Sequence, residues 1–572
     1  MKILTLHCDY IKFKPLQKAL KNFELEKVEL KEKKVDECLV VLTAVEAQDS
    51  ISSTGELVKN IKDIASQVRT KNIVLYPYAH LSSRLSSPSI AESVLKEAEK
   101  LLKADKEKFS VTRAPFGYYK EFELRCKGHP LSELSREIGE TKETGKVTAV
   151  VAKEEVYDYK RLLSEISKTR LDREKLKEND HRIIGQKMDL FSFSETAPGM
   201  TFWHNNGWII YNELVNFWRE EHRKAGYQEI STPLILDKKL WQISGHWEKY
   251  RENIFLTKYE GRDFVIKPMN CPGGILVFKS KPKSYKELPL KVAELGTVHR
   301  QELSGVLSGL FRVIKITQDD AHLYCMENQL EDEIKKIINL IDKFYKKFGF
   351  PYHVELSTRP EKRIGADSLW DKAEKILETV LKKLKMNFKL NKGDGAFYGP
   401  KIDFHIKDSL GRTWQCATIQ LDFAMPERFE LEYTGEDNKK HRPVMVHRTI
   451  YGSLERFIGI LLEHLNGNLP VWLSPIQVEI LSLTDRNADA VIKLQKKLLD
   501  LGIRSEVDLD SSTVNDKIRN AEIRKIPYII VLGDKEEKSK TLAVRKRGQK
   551  PEFGINTEKF ISDLLNEIKE RK

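Results

Sequence analysis

Two β-type runs, Lys291–His299 and Phe311–Thr317, follow one another with only a short polar loop between them. A parallel pair needs a crossover of a dozen or more residues, usually a helix, so this stretch predicts an antiparallel sheet. Amphipathic periodicity predicts long helices over Trp208–Lys224 and Gln329–Phe348 to cover it. The chain has no G-x-x-x-x-G-K-S/T loop and no G-x-G-x-x-G following a strand. Any nucleotide must therefore be held by a geometry other than the doubly wound one.

At 572 residues the chain is too long for a single core, and its patterning divides into four parts. Residues 1–150 alternate strands (Cys38–Val45, Asn72–Tyr78, Lys146–Ala152) with helices (Ile61–Val68, Ile90–Leu102), an α/β arrangement. The opening Met1–Tyr10 reads as a buried strand meeting a turn at Asp9. Residues 151–185 contain Lys153–Arg182, dense in Lys, Glu and Asp, expected as a linking helix held by i,i+4 pairs. Residues 186–468 carry the antiparallel sheet. Residues 469–572 resume a strand–helix alternation: strands Gln477–Leu483, Ile503–Val507 and Tyr528–Leu532, helices Asn487–Leu501, Val514–Lys525 and Glu558–Lys569. The fold class is thus multidomain, α+β with α/β flanking domains.

No apolar run approaches the roughly 20 residues that span a bilayer, and the first residues lack a secretory cleavage pattern, so a cytoplasmic protein without a membrane partner is expected. Six scattered cysteines with no CxxC pair fit reduced thiols rather than a disulfide framework. A metal site would have to gather residues distant in sequence. The formal charge of +13 suits a polyanionic partner, although solvated lysine-rich surfaces give the same excess.

Two stretches concentrate chemistry. In the first, Arg300 and Glu302, a Gly/Ser-bearing loop and Arg312 precede the run Gln318, Asp319, Asp320, Ala321, His322. Guanidinium forks suit bidentate phosphate contacts and keep their charge when desolvated, whereas any one of these residues alone reads as a surface hairpin charge. In the second, a strand through His447 and Arg448 enters a turn at Gly452, and a helix opens with Arg456 near its N-terminus, a favourable place for an anion.

These stretches resemble motifs 2 and 3 of the class II aminoacyl-tRNA synthetases, and Trp208–Arg223 running into Gly226–Pro233 resembles motif 1. The runs Pro268–Gly273, Thr317–His322, Phe397–Asp403 and Trp414–Cys416 resemble threonyl-tRNA synthetases, and the likeness extends over essentially the whole chain. The resemblance implies that Arg300 binds the ATP α-phosphate and the amino-acid carboxylate, that Glu302 meets the adenine, and that Arg312 and Arg456 bind the γ-phosphate, with Mg²⁺ sharing the neutralisation. It makes Cys271, His322 and His447 the ligands of one Zn²⁺ per subunit. Asp320 then accepts from the substrate hydroxyl, and Gln318, Tyr398, Lys401 and Gln415 surround L-threonine or the adenylate. His246 falls near the tRNA 3′ end, where a structural hydrogen-bonding role is the competing reading. His299, His405, His441, Cys325 and Cys416 are expected bystanders. One departure stands out: the family commonly has histidine where this chain has Gly274.

A site selecting a hydroxyl rejects valine but not serine, because a missing methyl is worth only about 1–3 kcal/mol. A second, hydrolytic site is therefore expected. The stretches Val74–Ser83, Ala114–Lys120 and Gly128–Glu133 resemble the archaeal threonyl-tRNA synthetase editing domain, related in fold to D-aminoacyl-tRNA deacylases. This implies that His80, Tyr119, Lys120 and Glu133, with Lys18 as a weaker addition, line a pocket that hydrolyses seryl-tRNA(Thr). An RNA-docking appendage without activity is the alternative. The last domain resembles the anticodon-binding domain of class II synthetases, with Glu536 and Arg545 as candidates for anticodon bases. A two-fold homodimer through motif 1 is implied as well. Competing readings are a prolyl or histidyl enzyme, an inactive RNA-binding paralogue, and a free-standing editing factor.

Overall fold

The computed structural model describes residues 1–20, 28–82, 84–106, 108–129, 131–138, 160, 163 and 176–572. Strand Lys146–Ala152 and nearly all of the expected linking helix lie outside the described residues. The chain forms two compact units, Met1–Glu155 and Val156–Lys572. Among the described residues no helix is long and apolar enough to cross a membrane.

The first unit is a six-stranded sheet ordered Ser110–Arg113, Asn72–Pro77, Lys33–Ala44, Lys2–Lys18, Tyr118–Cys126, with Glu133–Glu137 also pairing the first strand. Helix Thr54–Gln67 presents Leu57, Ile61 and Ile64 at helical spacing to Leu39, Val41, Ile73 and Leu75 of the sheet. The turn expected at Asp9 is replaced by a continuous strand, Lys2–Lys18. A register shift between Cys8 and Tyr10 absorbs Asp9 as a bulge, and its carboxylate accepts from Lys127 Nζ at 2.6 Å.

The second unit is built on an eight-stranded sheet: Phe388–Asn391, Tyr352–Ser357, Lys401–Lys407, Thr413–Asp422, Val444–Thr449, Lys315–Cys325, Leu290–His299, Gln228–Glu229. All its pairings are antiparallel except those of the two outermost strands. Helix Leu330–Phe348 covers it with a stripe of Ile334, Ile337, Ile338, Ile341 and Phe344. The strand expected over Phe311–Thr317 begins instead at Lys315. Phe311 packs against His181 and Trp414, with ring centroids 4.3 and 4.5 Å away, which takes that segment off the ladder. Towards the C-terminus a five-stranded sheet ordered Ser505–Asp508, Val478–Ser482, Tyr528–Leu532, Thr541–Lys546, Glu552–Asn556 carries helices Ala488–Asp500, Val514–Ile523 and Thr557–Lys569.

Candidate active site and metal centre

Period-two alternation sends Gln318, Asp320 and His322 of strand Lys315–Cys325 to one face of the sheet. The register continues that row, because His322 stands opposite His447, and His447 stands opposite Gln420. These residues line a cavity of about 310 Å³ together with Cys271, Arg300, Tyr398, Gln415 and Arg456. Cys271 is the first residue of helix Cys271–Lys279, where Pro272 at the start costs no backbone donor. Gly274 lies in the same helix, and a Cβ there would stand 3.3 Å from His322 Nδ1. The departure at this position therefore leaves room beside a candidate ligand.

Cys271, His322 and His447 are all buried, and their donor atoms lie within 4.8 Å of one another. Burial pushes the Cys271 thiol well above its ordinary pKa and the His322 imidazole well below its own. A divalent cation reverses the thiol's preference, since a coordinating thiol is deprotonated outright. His447 Nε2–H donates to Asp422 at 2.8 Å, leaving Nδ1 as the free donor atom. Asp422 is itself held by the backbone N–H groups of Ala424 and Met425 at 2.8 and 2.9 Å. One thiolate and two neutral imidazoles, one of them oriented by a carboxylate, fit a zinc centre of the open, three-ligand kind. Beside them Asp320 accepts from Asn270 Nδ2 at 2.7 Å, while desolvation raises its pKa.

The guanidinium groups of Arg300 and Arg456 line the cavity and are fixed from the protein side. Arg300 donates to Pro268 O (3.2 Å) and Gln318 Oε1 (3.4 Å). Arg456 donates from Nε to Phe311 O at 2.8 Å, and its backbone N–H is capped by Ser453. Burial lowers the Arg456 pKa, and the nearby charges of Arg312 and Arg300 lower it further. Such mutual repulsion is relieved by a polyanion. Arg312 is paired with Glu302 at 2.9 Å.

Four residues around this site had no role assigned from the sequence, although Asp319 and Glu455 stand within the two stretches singled out there. Asp319 points away from the cavity, fully buried, and accepts from the N–H groups of Ile450, Tyr451 and Gly452 and from Trp218 Nε1. It thereby staples the strand to the glycine turn; the alternation around Asp320 could have placed it on that opposite face. Glu455 accepts the Thr317 N–H at 2.9 Å and docks the following helix on the same strand. Asp422 orients His447. His181, fully buried, donates from Nδ1 to Glu463 (2.6 Å) and accepts the Leu310 N–H at Nε2 (2.9 Å). Gly309, at φ +50°, lies against that ring, and a Cβ would fall 2.2 Å from Nε2. Nothing local to a lone histidine signals this role.

Four predicted residues sit apart from the cavity lining: Glu302 and Arg312, which pair with each other, and Lys401 and His246. Lys401 Nζ is tied to Asp394 and Asp403, and Asp403 in turn accepts from Gln415 Nε2 at 2.6 Å. His246 is buried against Phe397 and Tyr398, with Nδ1 on Ser244 Oγ at 2.8 Å and Nε2 without a partner among the described residues. Burial drives its pKa down to about 3, so it stays neutral.

In the first unit, His80, Tyr119 and Lys120 line a separate cavity of about 460 Å³ with Tyr76, Phe116 and Phe122. Lys120 Nζ donates to Pro115 O and Tyr118 O at 2.9 and 3.0 Å, and burial lowers its pKa to about 8. Lys18 is exposed opposite Tyr118, and Glu133 is exposed opposite Leu6; neither lines the cavity. Towards the C-terminus, Glu536 of helix Asp534–Ser539 accepts the Gly533 N–H at 3.2 Å, and Arg545 of strand Thr541–Lys546 pairs with Glu522 at 3.2 Å.

A mainly antiparallel sheet carrying arginines beside a Cys/His/His group suits a class II tRNA synthetase, and the "tRNA synthetase class II core domain (G, H, P, S and T)" family matches residues 255–465. The "Archaea-specific editing domain of threonyl-tRNA synthetase" matches residues 1–138, and an "Anticodon binding domain" matches residues 477–570. Threonine–tRNA ligase of Carboxydothermus hydrogenoformans is 56% identical over 404 residues, 70% of this chain and 63% of that protein. The Desulforamulus reducens threonine–tRNA ligase is 54% identical over 398 residues, again 70% and 63%. The chain thus spans a little under two thirds of the length of these curated relatives. The crystal structure of the RNA binding domain of threonyl-tRNA synthetase from Cryptosporidium parvum Iowa II is 39% identical, with a TM-score of 0.66, covering 68% of this chain and 98% of that one. The chain belongs to the threonyl-tRNA synthetase family.

Proposed function

We propose that the chain activates L-threonine with ATP, transfers it to tRNA(Thr), and hydrolyses mischarged seryl-tRNA(Thr) in its N-terminal domain. The observation that carries this reading is the single cavity on which Cys271, His322, His447, Asp320, Arg300 and Arg456 converge. Activation is in-line attack of a carboxylate on the α-phosphorus, which demands positioning and charge neutralisation more than acid–base chemistry. Arg300 neutralises the α-phosphate and the substrate carboxylate. Arg456 and Arg312 hold the γ-phosphate of ATP carried with Mg²⁺, and Glu302 exchanges its Arg312 partner for the adenine amino group. Gln318, Gln415, Lys401 and Tyr398 complete the substrate surroundings, Lys401 through the Asp403 carboxylate that also holds Gln415.

Zn²⁺ on Cys271, His322 and His447 would supply Lewis-acid binding of the substrate amino and hydroxyl groups. The Asp320 carboxylate accepts a hydrogen bond from the substrate hydroxyl, so valine leaves a polar group unpaired and is rejected, whereas serine enters. The Lys120 ammonium, with His80 and Tyr119 at the second cavity, orients the seryl ester; the exposed Lys18 and Glu133 would reach it only with tRNA bound. His246, neutral and with a free Nε2, faces the tRNA end during transfer. Glu536 and Arg545 read anticodon bases after releasing their present partners. The division into 1–150, 151–185, 186–468 and 469–572, a homodimer through Trp208–Arg223, and a cytoplasmic location belong to the same reading.

The test is amino-acid-dependent ATP–pyrophosphate exchange on zinc-loaded protein. Exchange with threonine, some with serine and almost none with valine supports the mechanism. No exchange with any of the three, despite bound zinc, overturns the synthetase reading in favour of an inactive RNA-binding paralogue.

A further inference from the structure

A second group of metal donors lies outside the cavity lining, on strands Tyr352–Ser357 and Lys401–Lys407. His353 and Glu355 are two residues apart and share a face, and His405 stands directly opposite His353 in the antiparallel register. The two imidazole rings stack at 4.9 Å with 12° between their planes. One donor atom from each of the three residues falls within 4.8 Å of the others.

Both histidine Nε2 atoms face the Glu355 carboxylate, at 3.4 Å from His353 and 3.8 Å from His405. These gaps exceed the roughly 2.7–3.2 Å of a good hydrogen bond. The three groups therefore converge without closing on one another. Glu355 is held in place: its side chain is 12% exposed, Asn391 Nδ2 donates to it at 3.1 Å, and Lys389 Nζ stands 3.8 Å away. The neighbouring acid, Asp403, is already occupied by Ser357, Lys401, Gln415 and Thr418. The register shift between Phe404 and His405 leaves Cys416 as the extra residue on strand Thr413–Asp422, and His405 keeps its place opposite His353. His353 is half exposed, so water can complete the coordination.

We propose that His353, Glu355 and His405 bind one divalent d-block ion of the zinc, cobalt or nickel class, at a site separate from the Cys271 trio. Two imidazoles and a carboxylate prefer such ions to Mg²⁺ or Ca²⁺, and turning of the stacked imidazole rings towards Glu355 is what brings the donors to the roughly 2.0–2.2 Å such a centre needs. The ion joins two strands directly and a third, Phe388–Asn391, through the Asn391 contact to Glu355.

The test uses the full chain, stripped of metal and titrated with Zn²⁺ in equilibrium dialysis with metal analysis. The expected result is two ions per wild-type chain, one per C271S chain, and one per H353A chain, with second-site affinity falling at least tenfold in H405N. Thermal melting verifies that the variants fold; His353 is on the surface, so H353A removes little packing. Co²⁺ loading separates the two sites, because only the Cys271 site gives a thiolate-to-cobalt charge-transfer band. One ion per wild-type chain, abolished by C271S, overturns the proposal, as does a second ion that H353A and H405N leave unchanged. A second ion lost in H353A while C271S changes nothing supports this site and counts against the Cys271 centre instead.

Discussion

Replacing Asp422 by asparagine tests the metal centre while hardly changing its shape. The carboxylate accepts three hydrogen bonds: from Ala424 N, Met425 N and His447 Nε2. In D422N the side-chain carbonyl oxygen can keep the two backbone donors, but the new amide group then points at His447 and also donates. His447 must turn Nε2 into an acceptor, which places its proton on Nδ1, the atom left for the metal. Coordination then requires the wrong tautomer or a lost hydrogen bond. Losing such an orienting partner costs about ten- to hundredfold in metal affinity, or roughly 1.4–2.7 kcal/mol. Stability without metal should change by only about 1 kcal/mol, since both backbone bonds survive and only their charge assistance is lost. Competition for Zn²⁺ against a calibrated chelator measures the first quantity, and urea denaturation of the stripped protein the second. Unchanged zinc affinity in D422N would refute the assignment of Nδ1 as the ligand atom, and with it the orienting role of Asp422.

Truncating His181 to alanine orphans the Leu310 N–H and loosens the Glu463 carboxylate, at an expected cost of about 2–4 kcal/mol in urea denaturation. Because Leu310 adjoins Phe311, whose carbonyl holds Arg456, KM for ATP in pyrophosphate exchange should rise more than kcat falls; equal effects on both would count against a positioning role. D319N turns an amide donor towards backbone donors and should destabilise the chain by about 2–4 kcal/mol, seen as a lower denaturation midpoint. Lys120 has its pKa lowered by burial to about 8, below the roughly 10.4 of an unfolded lysine. The folded state therefore disfavours its protonated form, and stability rises as pH climbs from about 8 towards 10.4, with the full penalty present below 8. Seryl-tRNA hydrolysis should instead fall through about pH 8 as the ammonium is lost; a rate indifferent to pH there, or to K120M, removes Lys120 from the chemistry.

The local elements were legible because periodicity is a short-range property. The apolar stripes of Leu330–Phe348 and Thr557–Lys569 and the strand at Tyr528–Leu532 follow from side-chain spacing alone. The lack of a helical crossover between Lys291 and Thr317 correctly pointed to an antiparallel sheet. Family resemblance carried Cys271, His322, His447, Arg300 and Arg456 to positions that share one cavity. It also offered Lys18, Glu133, Lys401, Glu302, Arg312 and His246, which lie off the cavity linings of their units, because position along the chain does not say which face or rung a side chain reaches.

Other features depended on register, which no local pattern contains. His322 meets His447 because two strands more than a hundred residues apart pair at that rung, and His353 meets His405 because two strands nearer in sequence pair at theirs. The partners that orient a ligand or a loop, Asp422 behind His447 and His181 behind Leu310, are buried polar groups whose hydrogen bonds close only when separate segments pack. A desolvated polar atom must find its partner wherever the fold places one. The order of residues along the chain set which groups were able to donate, accept or ligate; packing in three dimensions settled which of them meet.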